Sequence, residues 1–312
     1  MDSSTSQEMP RNLSLTSFMK RRVKPFLLKA GLGRVVLIPV RLGMALGYCT
    51  PQLKRTVMWA ISSREATNFT FEITQDNYEY LAHTISAITG VSYSATLGYL
   101  DELQGDDALK RHVIDATRKS RMRHSADERC AFGRRLGWYA FVRILKPHVV
   151  VETGVDKGLG SVTLCSALMR NAAEGFPGRY FGTDKDPDAG FLLTEPYSSV
   201  GEILYGDSIQ SLQSIPEIDV FINDSDHSAD YERREYEVVA PKLGAHGLIL
   251  GDNSHCTDVL ARFSAEHGRQ FIFFREQPKD HWYPGAGIGI SFMRSTLGAS
   301  DREATIGAPA AI

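Results

Sequence analysis

The sequence predicts an α/β protein, with a doubly wound parallel sheet in its C-terminal half and a helical region before it. Three observations carry this expectation. After Pro147, short apolar runs alternate with helical stretches. Several of those runs end in an acidic residue. Between residues 18 and 145 the apolar positions instead follow helical spacing in patches. Continuous apolar strands separated by helices imply a parallel sheet covered on both faces.

Residues 1–17 are polar, Ser/Thr-rich and aperiodic, and read as a disordered tail. Residues 18–62 read as helical patches broken at Pro25, Pro39 and Pro51. The longest apolar stretch, Val35 to Gly47, is too short to span a bilayer. A buried helix or strand is the expectation there, with a membrane-surface segment as the alternative. Asp76 is a candidate cap for a helix carrying Tyr80, Leu81, Ile85 and Ile88, which Gly90 would end. A charged amphipathic helix is expected over 106–124. A long helix is expected from Ala126 to Leu145, with Phe132, Leu136, Tyr139, Val142 and Leu145 toward a core and Trp138 and Tyr139 buried. Arg134 and Arg135 fit either a pocket for an anionic or sugar ligand or the face of a helix docked on the sheet. Strands are expected at 149–153, 179–184, 202–207, 219–224, 247–252, 270–276 and 287–293. The domain reading is a tail (1–17), a helical region (18–145), the α/β domain (146–294) and a flexible C-terminal tail (295–312).

Hydrophobic residues make up 43% and charged residues 23%, as in an ordinary soluble protein that can bury a sizeable core. A formal charge of −2 gives no reason to expect nucleic acid. The charge is uneven, however: residues 1–70 hold eleven Lys/Arg against three Asp/Glu, densest at Lys20, Arg21, Arg22 and Lys24. Such asymmetry suits a weak membrane-surface contact and equally a solvated helix face. Cys49, Cys130, Cys165 and Cys256 lack metal-site spacing, and the N-terminus lacks a signal-peptide core. Both point to the cytoplasm.

Ligands of open α/β sheets sit outside the carboxyl ends of the strands. Glu152, Asp184, Asp207, Asp224 and Asp252 would line that edge, where carboxylates repel unless a ligand, cation or donor satisfies them. The first strand runs into ETGVDKGLGS, with Gly154, Gly158 and Gly160 before a helix at Ser161–Asn171. These glycines do not follow the dinucleotide spacing G-x-G-x-x-G, and the acidic strand end suits a cationic ligand better than a diphosphate.

The pattern E-x-G-x-x-x-G-x-G resembles the first motif of class I methyltransferases, which use S-adenosylmethionine. That resemblance implies a Rossmann-like seven-stranded sheet with an antiparallel last strand. It also implies Glu152, Gly154 and Gly158 at the methionine end of the cofactor, Asp184 at the ribose hydroxyls, and Asp207 with Ser208 beside the adenine. The segment DSDHS, followed by Tyr231 and Glu235, resembles the bacterial methyltransferase family 24, whose relatives modify sugars and antibiotics. The implied reaction is O-methylation of a saccharide or secondary metabolite. Asp224, Asp252 and Asn253 resemble the oxygen ligands of metal-dependent O-methyltransferases and would hold Mg²⁺, with Asp226 or His227 as base. Asn253 stands where the sugar-methylating pattern has a second Asp. Asp226 and Ser228 also suit a helix cap near Ala229, and the loop His281–Tyr283 suits an acceptor wall or plain packing. The helical region would cap the acceptor site or build a homodimer. The alternatives are a metal-independent N- or C-methyltransferase, a Rossmann-like oxidoreductase and an inactive cofactor-binding module.

Overall fold

A computed structural model describes residues 35, 37–67, 69–252 and 254–293. The expectations for both tails and for Lys20–Lys24 lie outside these residues. The chain divides into two units, Met1–Ile61 and Ser62–Ile312. The boundary therefore falls well before Lys146, and the helices after residue 62 belong to the same unit as the sheet.

In the first unit the described residues form one long helix, α1 (Ile38–Ser62). Neither proline breaks it. Pro39 sits in the first turn, where its missing N–H has no intrahelical partner to lose. Pro51 lies inside the helix and is accommodated there. The apolar stretch expected to be buried is not: no described residue of α1 is buried within the chain.

The second unit opens with three helices, α2 (Gln75–Thr89), α3 (Tyr93–Gln104) and α4 (Asp107–Lys119). Thr74, rather than Asp76, caps α2 by accepting from the Asn77 N–H, and Gly90 ends it with φ +74°. The expected helix from Ala126 is shorter, α5 (Arg135–Leu145). Gly133 turns left-handed just before it, with φ +51°, and a Cβ there would meet Phe71 at 3.1 Å. Then follow β1 (Val149–Thr153), α6 (Leu159–Ala173), β2 (Arg179–Asp184), β3 (Gly201–Tyr205), α7 (Ser208–Ser214), β4 (Ile218–Asn223), α8 (Ala229–Val239), β5 (Leu243–Gly251), α9 (Val259–Glu266), β6 (Gln270–Arg275) and β7 (Gly287–Phe292).

The strands pair in the order β3-β2-β1-β4-β5-β7-β6, and β7 runs antiparallel to both neighbours. The expected architecture is the observed one. Alternation along each strand splits the core in two. Val150, Val220, Ile222, Leu248 and Leu250 pack with α2 to α6, whereas Val151, Phe221 and Ile249 pack with α7, α8 and α9. Trp138 and Tyr139 are fully buried on the first face, as the sequence predicts. Asn77 of α2 donates to the Arg275 carbonyl and accepts from the Gln277 N–H, so the helical layer grips the end of β6.

The glycine at 137 lets α5 approach β7. A Cβ there would stand 2.9 Å from Ile288 and 3.2 Å from Leu81. Gly137→Val is expected to lower unfolding free energy by about 1–3 kcal/mol through overpacking, read as a lower urea midpoint.

Candidate functional site

The strand order reverses between β1 and β4, which places the switch point of the sheet at their carboxyl ends. Backbone pairing continues one residue past the strands there. The Asp224 N–H donates to the Thr153 carbonyl at 3.0 Å, and the Asp252 N–H donates to the Asn223 carbonyl at 2.9 Å. The ends of β1, β4 and β5 thus present their carboxylates side by side.

A cavity of about 440 Å³ opens at this edge, bordered among others by Gly154, Asp184, Ser208, Asp224, Asp226 and Tyr231. The glycine loop forms one wall. Gly154 has φ +78°, and a Cβ on it would fall 2.1 Å from the Asp224 carbonyl oxygen, so only glycine lets the loop lie against the end of β4. Asp184 accepts from the Asp156 N–H at 3.1 Å and the Asp186 N–H at 2.9 Å, which fixes its carboxylate at the rim.

Not every expected cofactor residue borders the cavity. Glu152 is buried beneath the loop, and its carboxylate accepts from the Tyr180 and Ser161 hydroxyls. Gly158 packs against Gly190 behind the loop, where a Cβ would meet Gly190 at 3.0 Å. Asp207 caps α7 by accepting from the Ile209 N–H at 3.0 Å, and it takes the Tyr231 hydroxyl at 3.1 Å. Ser208 does reach the cavity. Its hydroxyl donates to Glu235, which also accepts from Thr153, Asn223 and Ser225. Glu235 therefore ties β1, β4 and α7 together beneath the site.

The expected bases part company. Asp226 is exposed, accepts from the Ser228 N–H at 2.8 Å, and is held below the usual carboxylate range by that bond. That bond closes a turn in the loop before α8, whose first residues carry no side-chain cap. His227 is exposed and does not border the cavity. Asp224 lies on the cavity wall, and burial together with the neighbouring Asp252 raises its pKa well above the ordinary value.

The expected metal ligands meet a different cation. The Arg134 guanidinium contacts both oxygens of Asp252, through Nε to Oδ1 and through Nη2 to Oδ2 at 2.9 Å. It also stands 3.8 Å from Asp224 and 3.6 Å from Glu276. Arg134 is nearly fully buried. Burial works against its charge, but Asp252, Glu276 and Asp224 hold it protonated. A divalent ion on Asp224 and Asp252 would have to expel this guanidinium. Asn253, the third expected ligand, lies outside the described residues. In this arrangement the two aspartates answer Arg134 rather than a bound cation.

Arg135 is buried beside Arg134, and Trp138 lies 5.5 Å from its guanidinium. Burial and then Arg134 lower its pKa, while Asp224, Glu152 and Asp252 offset part of that. Glu276 was not singled out from the sequence. It follows β6, which is antiparallel to β7 and so runs in the direction of β5, bringing its end to the same edge. The signal was present, since the run QFIFFRE ends in an acid like the others. The loop His281–Tyr283 packs with Phe69 and Phe71, Tyr283 lying 5.0 Å from Phe69 and His281 5.0 Å from Phe71. His281 accepts from the Tyr283 N–H, and burial brings it down to about 4, so it is neutral at pH 7.

Residues 151–254 match the model of a family described as a methyltransferase domain, methyltransferase family 24. That match covers about a third of the chain, and over that span the chain is similar to methyltransferase domains. Similar solved structures include an O-methyltransferase from Klebsiella pneumoniae described as putative in its name, with 14% identity, a TM-score of 0.46, and coverage of 61% of this chain and 91% of that one. Another is the O-methyltransferase TomG of Streptomyces achromogenes in complex with its methyl donor, at 16% identity, TM-score 0.44, and coverage of 61% and 91%. A third is an O-methyltransferase from Bacillus cereus, at 12% identity, TM-score 0.41, and coverage of 70% and 99%. No curated protein sequence matches the chain.

Burial pushes the Glu152 carboxyl up to about 7 despite the Tyr180 hydroxyl bond. A carboxyl whose pKa is raised on folding favours the folded state at low pH, and that advantage is lost as pH rises from the ordinary carboxylate range through 7. Glu152→Gln is therefore expected to gain stability relative to the parent chain between pH 5 and pH 8, by on the order of 3 kcal/mol. Urea midpoints of both chains at the two pH values check this.

Proposed function

We propose that the chain transfers a methyl group from S-adenosylmethionine to a hydroxyl oxygen of a saccharide or secondary metabolite, without a divalent metal. The observation that carries this reading is the cavity at the β1/β4 switch point, walled by a glycine loop and rimmed by the Asp184 carboxylate. A carboxylate with two acceptor oxygens suits the two hydroxyls of a ribose. The acidic edge suits a ligand that carries positive charge. When bound, the cofactor supplies an electrophilic methyl on a sulfonium that departs as a neutral thioether.

The chain's own residues then have two tasks. The walls align the acceptor oxygen with that methyl, which removes most of the entropy barrier of a bimolecular displacement. A base takes the hydroxyl proton as the new O–C bond forms. Both Asp224 and Asp226 border the cavity, but Asp224 suits that role better, because its raised pKa makes its carboxylate the stronger base whereas the Ser228 N–H holds Asp226 below the usual range. Arg134, joined to both Asp224 and Asp252, supplies the fixed positive charge that a metal ion supplies elsewhere. Folding in the cytoplasm agrees with four free cysteines and with the lack, among the described residues, of any helix long and apolar enough to cross a membrane.

Calorimetric titration of S-adenosylhomocysteine is expected to show one saturable site, weakened at least about tenfold by Asp184→Ala through lost charged hydrogen bonds. No binding to the parent chain would overturn the reading. Chelator is expected to leave methyl transfer to a panel of catechols and glycosides unchanged. Asp224→Asn is expected to lower kcat by about 10²- to 10⁴-fold while homocysteine-product binding persists. A chelator-sensitive rate restored by Mg²⁺ would refute the metal-free version alone.

A further inference from the structure

Helix α1 (Ile38–Ser62) carries an apolar stripe that no other described residue of its own unit covers. Ile38, Leu42, Leu46, Leu53, Val57 and Ile61 recur at spacings of four and seven and are 48–77% exposed. At 100° per residue these positions fall on one face. Arg41 and Arg55 fall on the opposite side and Lys54 flanks the stripe beside Ile61, while Met44, Tyr48 and Met58 add exposed apolar surface outside it. The flanking sequence sharpens the pattern. From residue 9 to residue 64 there is no Asp or Glu, while the same span holds eleven Lys/Arg. An acid-free segment of this length is not a generic solvated surface, where both signs of charge are interspersed.

We propose that α1 is an interfacial helix that docks the protein on an anionic lipid bilayer. Its apolar stripe would enter the boundary between headgroups and acyl chains, and its cations and those before it would face the anionic headgroups. Charge complementarity selects this occupant over the others. A second copy of the same helix would bring two acid-free cationic segments together. A nucleic acid would satisfy the cations and leave the apolar stripe in water. Crossing the bilayer is not required of the helix, and it is not apolar enough for that.

The test is co-sedimentation of the full chain with vesicles of phosphatidylcholine alone and of phosphatidylcholine mixed with phosphatidylglycerol. The bound fraction is expected to rise at least about tenfold with the anionic lipid and to fall with added salt. The pair Leu46→Glu and Leu53→Glu is expected to abolish sedimentation while the affinity for S-adenosylhomocysteine stays at its parent value. The pair Arg41→Glu and Lys54→Glu, which leaves the stripe intact, is expected to weaken it severalfold. Absence of vesicle binding, or equal binding to both compositions, would overturn the proposal. So would a stable dimer, seen by sedimentation velocity, that the leucine substitutions convert to monomer without vesicle binding. The cofactor titration separates these outcomes from any failure of the methyltransferase reading.

Discussion

The arrangement of the carboxyl edge depends on one buried guanidinium. Arg134 enters from the start of α5 and meets Asp252, Asp224 and Glu276, which follow three different strands. Removing one partner from a buried ion cluster leaves an uncompensated charge, which costs far more than the intact cluster contributes. The cluster therefore fixes where the helical layer sits on the sheet. It also fixes which carboxylates remain available to a ligand. Glu152, Asp224 and Glu276 all have raised pKa values because burial disfavours their charge, and two arginines do not neutralise four acids. A positively charged ligand at this edge would offset part of that cost by favouring the ionised carboxylates.

Much of the fold was legible because parallel strands buried on both faces write continuous apolar runs. All seven expected strands are present within a few residues of their expected ends, and the acids at those ends mark the functional edge. Helix limits were less legible. The start of α5 is set by the left-handed turn at Gly133 against Phe71, a contact between segments distant in sequence. Pro51 reads as a break in the sequence because propensity weighs the lost hydrogen bond and cannot weigh the surrounding helix.

In the site, the glycine loop and the strand-end acid Asp184 were legible as features of the carboxyl edge, because both are set by local sequence. The roles of the acids could not. Asp224 and Asp226 are two residues apart and chemically identical. They differ because one is half-buried beside Asp252 and the other is exposed and accepts from a backbone N–H. The cation facing Asp252 lies 118 residues away along the chain. Nothing in a local pattern of acids says whether a metal or an arginine will answer them.

The position of Arg134 bears on how far the molecule can be divided. The span that matches the family begins after Arg134 and ends before Glu276. A fragment trimmed to the sheet and its crossover helices would keep the glycine loop and the rim carboxylate. It would lose the guanidinium that Asp224, Asp252 and Glu276 share, and with it the Asn77 grip on the end of β6. The recognisable domain and the smallest self-sufficient piece are thus different objects. The shorter one is defined by its motif, the longer one by the ion cluster it completes.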